Sequence, residues 1–147
     1  MQLSNLKNKK MKRKITIFAF LLLSGVLLSF KGITEIKKAS LMNYKECIEA
    51  CNDCASLCSN CASECLKVKD VKLNRCIQLC IEAASICQST SELMSLNSDN
   101  AKEICKTCAD VCKKCKEECM KYDYDHCKKC AEACKKAEEM CNRISKM

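Results

Sequence analysis

Eighteen cysteines in 147 residues are the chemistry this chain offers, and their order is regular. The first series is Cys47, Cys51, Cys54, Cys58, Cys61 and Cys65, with steps of 4, 3, 4, 3 and 4. A second holds Cys76, Cys80 and Cys87, and a third Cys105, Cys108, Cys112, Cys115 and Cys119. A fourth holds Cys127, Cys130, Cys134 and Cys141. Cysteine at this density means either a disulfide framework or soft-metal ligation. The alternation of 4 and 3 is that of heptad a and d positions, so each series occupies one face of a helix.

A core of inert thiols fails on volume. Helices pack about 8 to 10 Å apart, and an interior of Cys and Ala leaves voids costing about 1 kcal/mol or more each. Metal ions between the sulfurs would fill that space. Disulfides within one helix are disfavoured, because residues three or four apart have Cβ atoms about 5 to 6 Å apart and a relaxed bridge wants about 3.5 to 4.5 Å. Bridges between helices remain open, although a staple needs a few bonds and not a thiol on every turn. Iron–sulfur ligation favours compact loops. Zinc or cadmium is the stronger rival, since Cys51/Cys54, Cys58/Cys61, Cys105/Cys108, Cys112/Cys115 and Cys127/Cys130 have the familiar pair spacing, but structural zinc wants closed sets of four ligands. Cu(I) is softer and accepts fewer thiolates per ion. Multiple Cu(I) ions are therefore the expected cargo, with about one per cysteine as an upper estimate.

Four helices must carry these stripes. The first is expected over about 44–66, opened by Asn43 with Glu46 as a capping box. Asp70 is the expected cap of the second, which the polar run 95–100 ends. The third carries Cys105 to Cys119 with Ala101 one step earlier, and the fourth Cys127 to Cys141 with Ala137 in the gap and Ile144 at the end. Short connections make this an all-α, antiparallel up-down-up-down four-helix bundle with a cysteine-lined core.

Antiparallel alignment stacks the stripes in six layers. They are Cys47, Met94, Ala101, Ile144; Cys51, Thr90, Cys105, Cys141; Cys54, Cys87, Cys108, Ala137; Cys58, Ala83, Cys112, Cys134; Cys61, Cys80, Cys115, Cys130; and Cys65, Cys76, Cys119, Cys127. Only the last two supply four thiols, which tilts the choice from zinc to copper. His126 stands beside Cys127 at the thiol-rich end, as an end ligand or a solvated helix-start residue. Met94, with Met42 and Met140, stands at the other end and Met120 near His126; these thioethers could pass Cu(I) inward or simply pack. No Ser, His and acid constellation at nucleophile spacing accompanies the single histidine, so no enzyme is expected.

Nearly all of the net charge of +8 comes from the first 31 residues, which hold seven Lys/Arg and no Asp/Glu, against 19 basic and 18 acidic residues afterwards. A body that neutral, with three tyrosines, does not suit nucleic acid. The basic stretch Lys7 to Lys14 and the apolar run Ile15 to Phe30 have the layout of a secretory signal. The expected division is a signal peptide or membrane anchor over 1–32, a linker over 33–42 and the bundle over 43–147. Export to a periplasmic or other extracytoplasmic space follows, with membrane contact only through an uncleaved leader.

The stretches CIEACNDCASLCSNCASEC (Cys47 to Cys65), EICKTCADVCKKCKEEC (Glu103 to Cys119) and HCKKCAEAC (His126 to Cys134) resemble the bacterial copper storage proteins, a cysteine-rich four-helix-bundle family. The resemblance covers about residues 43 to 145 and implies Cu(I) bound along the bundle interior, storage or detoxification in place of catalysis, and a homo-oligomer of bundles. A copper chaperone or exporter would be the partner. Ala83 and Ala137 depart from the pattern where the stripe admits cysteine, and no clear twin-arginine signal is present.

Overall fold

The computed structural model describes residues 42–147. Helix α1 covers residues 42–68, and a 3₁₀ turn over Val71–Leu73 leads into α2, Asn74–Ser95. Helices α3, Ala101–Cys119, and α4, Asp125–Ser145, complete an all-helical fold with no strand among the described residues. The expected leader and all but the last residue of the expected linker lie outside the described residues.

Good helix formers and an absence of Gly and Pro after residue 32 allow long helices, and the connections do the breaking. Lys69 takes a left-handed backbone, φ 56°, which stops α1 at a cost of about 1 kcal/mol that glycine would avoid. The Asp70 side chain then accepts from the Lys72 amide at 2.9 Å, so the expected cap exists but caps the 3₁₀ turn. Helix α2 ends in a Schellman motif: Asn97 at φ 51°, with the Ser98 amide bonded to Leu93 O and the Asn97 amide to Met94 O, both at 3.0 Å. The expected capping box at Asn43 is not made. Residues 42 and 43 are already helical, and Asn43 Oδ1 instead accepts from Arg143 Nη1 of α4 at 3.3 Å. That bond competes for the side chain the box would need.

Directions follow from which thiols meet. Cys47 lies 3.7 Å from Cys141 and Cys65 3.9 Å from Cys127, so α1 and α4 run opposite ways. Cys76 meets Cys119 at 3.6 Å and Cys87 meets Cys108 at 3.5 Å, which makes α2 and α3 antiparallel. All eighteen cysteines are 1% exposed or less, and the fully buried side chains larger than cysteine include Leu73, Met94, Ile144 and Thr90. Thr90 carries its own satisfaction, donating to Ile86 O at 2.7 Å. Outside this column the helices are tied by ion pairs such as Arg143–Glu46 at 3.3 Å. Pairs of this kind contribute about 1 kcal/mol or less when exposed, so the interior decides stability.

Candidate metal centre

From Cys47 to Cys65 the α1 stripe spans about 27 Å of helix rise, and sulfurs from all four helices line that length. All eighteen thiols are free. The shortest sulfur separations, 3.4 Å for Cys58–Cys130 and Cys87–Cys112, exceed a disulfide bond of about 2.05 Å. Five mutually close sets stand out, each with sulfurs within 4.8 Å of one another: Cys58/Cys115/Cys130/Cys134, Cys61/Cys80/Cys119/Cys130, Cys61/Cys65/Cys76/Cys127, Cys47/Cys105/Cys141 and Cys51/Cys87/Cys108.

These sets correct the six flat layers expected from sequence. Cys141 serves both Cys47, at 3.7 Å, and Cys51, at 3.6 Å, and Cys58 meets both Cys130 and Cys134, at 3.4 and 3.5 Å. Opposed helices are staggered by roughly half a turn, so a thiol from one helix sits between two from the next. Three sets of four result where two were expected, and the Met94 end offers three thiols where one was expected. The reason given for copper over zinc, a shortage of four-thiol layers, therefore does not stand.

A different reason replaces it. The three sets of four share members: Cys130 belongs to two and Cys61 to two. Separate tetrahedral zinc sites each need their own four ligands unless thiolates bridge. The remaining steps close the chain, with Cys54–Cys134 at 3.6 Å, Cys54–Cys112 at 4.0 Å, Cys87–Cys112 at 3.4 Å and Cys51–Cys141 at 3.6 Å. The sulfurs are thus linked from one end to the other, with no step above 4.8 Å.

A different side chain stands beside the thiols at each end. Met94 is buried, and Cys105 Sγ lies 3.5 Å from its Sδ. At the opposite end His126 Nε2 stands 3.4 Å from Cys65 Sγ. Met42 and Met120 do not join the column, being 62% and 72% exposed.

Protons are unevenly held in this network. Cys112 pulls Cys54 down and Cys119 pulls Cys115 down, while Cys80 and Cys87 are pushed up chiefly by Cys115 and Cys108. Cys51 is drawn to about 6: Cys108 pushes upward, outweighed by hydrogen bonds to Cys141, Cys47 and Cys87. Burial, with the neighbouring Cys61 charge, raises Cys65 to about 11. Cys105 reaches about 12, where a downward pull from Cys141 is outweighed by Cys47 and burial. Against an unfolded thiol near 8.5, the lowered group adds stability that is present above that value and lost as pH falls toward 6. The raised pair adds stability that is lost as pH rises toward 11 and 12. The metal-free, reduced protein is accordingly expected to be most resistant to denaturant near pH 8.5, with the urea midpoint falling on both sides. A midpoint that climbs steadily from pH 8.5 to 11 would contradict the raised thiols.

The family model of the copper storage proteins matches residues 40–146. The chain belongs to the copper storage protein family. Among solved structures it is similar to apo copper storage protein 3 of Bacillus subtilis, at 42% identity and TM-score 0.65, covering 69% of this chain and 97% of that one. The Cu(I)-bound form of the same Bacillus protein gives 42% identity and TM-score 0.67, with coverage of 70% and 98%. A cytosolic copper storage protein of Streptomyces lividans, carrying five coppers, gives 28% identity and TM-score 0.70, with coverage of 75% and 98%. No curated protein matches in sequence.

The expectation of export is corrected by these relatives. The Streptomyces protein is described as cytosolic. Eighteen unpaired cysteines are also what an oxidising compartment would convert to disulfides.

Proposed function

We propose that this member of the copper storage family binds and stores multiple Cu(I) ions along the column formed by its eighteen cysteines, for copper buffering or detoxification. The observation that carries the reading is shared membership: Cys61 and Cys130 each complete two sets of four, which suits bridging thiolates and low-coordinate ions in a continuous row. The relatives with Cu(I) or five coppers bound support the same reading. Met94 and His126 are the end donors in this proposal, with residues 43–147 as the storage unit. Storage, not catalysis, is the role.

Titration of the reduced protein with Cu(I) and with Zn(II), each against a competing chelator, tests it. Copper uptake toward about one ion per cysteine with weak zinc binding is expected; saturation near four zinc ions with poor copper uptake would sink it. Ala83 and Ala137, both fully buried in the column, supply a second check. Ala83→Cys and Ala137→Cys are each expected to raise the copper endpoint by about one ion, and an unchanged endpoint in both would argue against a continuous row.

Assembly into a homo-oligomer belongs to the same proposal. Between α1 and α2 a groove lined by Ala55, Ser59, Ala62, Leu66, Ile81 and Ser85, among others, has no charged lining residue, and a neutral face can meet its own copy without like-charge repulsion. Sedimentation of Ser59→Glu/Ser85→Glu against the parent tests that face. A copper chaperone or exporter is the proposed donor partner.

A further inference from the structure

His126 is the only histidine in the chain, so the plane of one imidazole decides how nitrogen meets the column. Its Nε2 is 3.4 Å from Cys65 Sγ, and the ring is half-buried at the first turn of α4. Its neighbours on α4 do not hold it there. The Asp125 carboxylate is paired with Lys129 at 2.8 Å, and Cys127 turns into the column, within 3.9 Å of Cys61 and of Cys65.

The ring is held by Tyr124. The two ring centroids are 5.2 Å apart with planes 10° from parallel, an offset stack of the kind aromatic rings favour. Tyr124 is itself anchored. It occupies the position before α4 with extended backbone, φ −85° and ψ 141°, and its carbonyl accepts from the Lys128 amide at 3.0 Å. The preceding Asp123 pairs with the Lys128 side chain. The turn therefore fixes the Tyr124 backbone beside the helix start, and the phenol, 38% exposed, meets the imidazole through the stack alone.

We propose that Tyr124 is a positioning residue, which holds the His126 imidazole with Nε2 on Cys65 and so sets the rate at which Cu(I) enters the column from that end. The proposal rests on His126 being an end ligand, as read above. It requires no contact between Tyr124 and the metal. An orienting partner of a ligating histidine typically matters by about 10- to 100-fold.

The test uses the full chain, metal-free and reduced. Its single imidazole gives one Hε1 and one Hδ2 NMR signal, both shifted upfield by a stacked ring. Tyr124→Ala is expected to move both to their free-imidazole positions and to slow Cu(I) transfer from a bicinchoninate complex by about tenfold. Tyr124→Phe should keep the shifts and the rate, and the final copper count should stay the same in both. The double variant Tyr124→Ala/His126→Ala should be no slower than His126→Ala alone. Parent-like shifts in Tyr124→Ala, or a parent-like rate while His126→Ala is slow, would overturn the positioning role. So would a double variant slower than His126→Ala, since Tyr124 would then act by another route. If His126→Ala itself takes up copper at the parent rate, the end-ligand reading falls and the rate claim with it, and the imidazole shifts of Tyr124→Ala alone decide whether the stack exists.

Discussion

Loading the reduced protein with Cu(I) is expected to raise its thermal unfolding midpoint by more than about 20 °C. The cause is the composition of the core. Every one of the eighteen cysteines is buried, and few fully buried side chains are larger than a thiol. An interior of small side chains yields little of the roughly 1.5 to 3 kcal/mol that a buried Leu, Ile or Phe contributes. Thiols crowded together also compete for protons, as the opposed displacements of Cys54 and Cys80 indicate. Metal binding removes both weaknesses, filling volume and replacing protons with a cation that several sulfurs share. A single site occupied at about 1,000 times its Kd adds about 4 kcal/mol. In a domain of about 100 residues each kcal/mol moves the midpoint by about 4 to 8 °C, and here many sites would act together. Circular dichroism melts under anaerobic reductant, with and without copper, measure the shift. A change of only a few degrees at full loading would mean that the ions sit outside the core.

Replacing Cys130 with serine is expected to remove about two to three Cu(I) ions from the titration endpoint, against about one for Cys47→Ser. Cys130 belongs to two sets of four thiols and approaches Cys58, Cys80 and Cys115 at 3.4, 3.7 and 3.9 Å. Cys47 lies in a set of three at the Met94 end. If thiolates bridge, loss of a shared sulfur disturbs every ion it touches, so effects at neighbouring cysteines are not additive. Discrete sites predict otherwise: each substitution would then cost the same single ion. Mass spectrometry of loaded variants under non-denaturing conditions counts the ions directly. Equal losses at Cys47 and Cys130 would exclude a continuous row.

Much of this was legible in the chain. The spacing of Cys47 to Cys65 determined one helical face by geometry alone, since steps of 4 and 3 cannot hold a face in any other regular structure. The same rule placed Cys105 to Cys119 and Cys127 to Cys141, and the breaks around Asp70 and over 95–100 followed from polar residues that end or cap helices. Asn43 shows where local pattern failed: it had the sequence of a cap, but a partner 100 residues away took its side chain. The location drawn from the leader failed differently, because a pattern of charges and apolar residues says nothing of the compartment in which eighteen thiols stay reduced.

What the sequence by itself determined, then, is how many thiols face inward and from which helices. It could not determine their stagger. Axial offset between packed helices depends on how side-chain ridges of one settle into grooves of the other, and a shift of half a turn converts flat layers into interlocked sets that share Cys61 and Cys130. The stripe placed Met94 in the end layer, and packing then set it beside Cys105 and left Met42 in solvent. Tyr124 gave no signal at all. Its stack on His126 exists because the turn before α4 folds an aromatic ring back over the helix start, a placement set by backbone angles and not by any residue pattern.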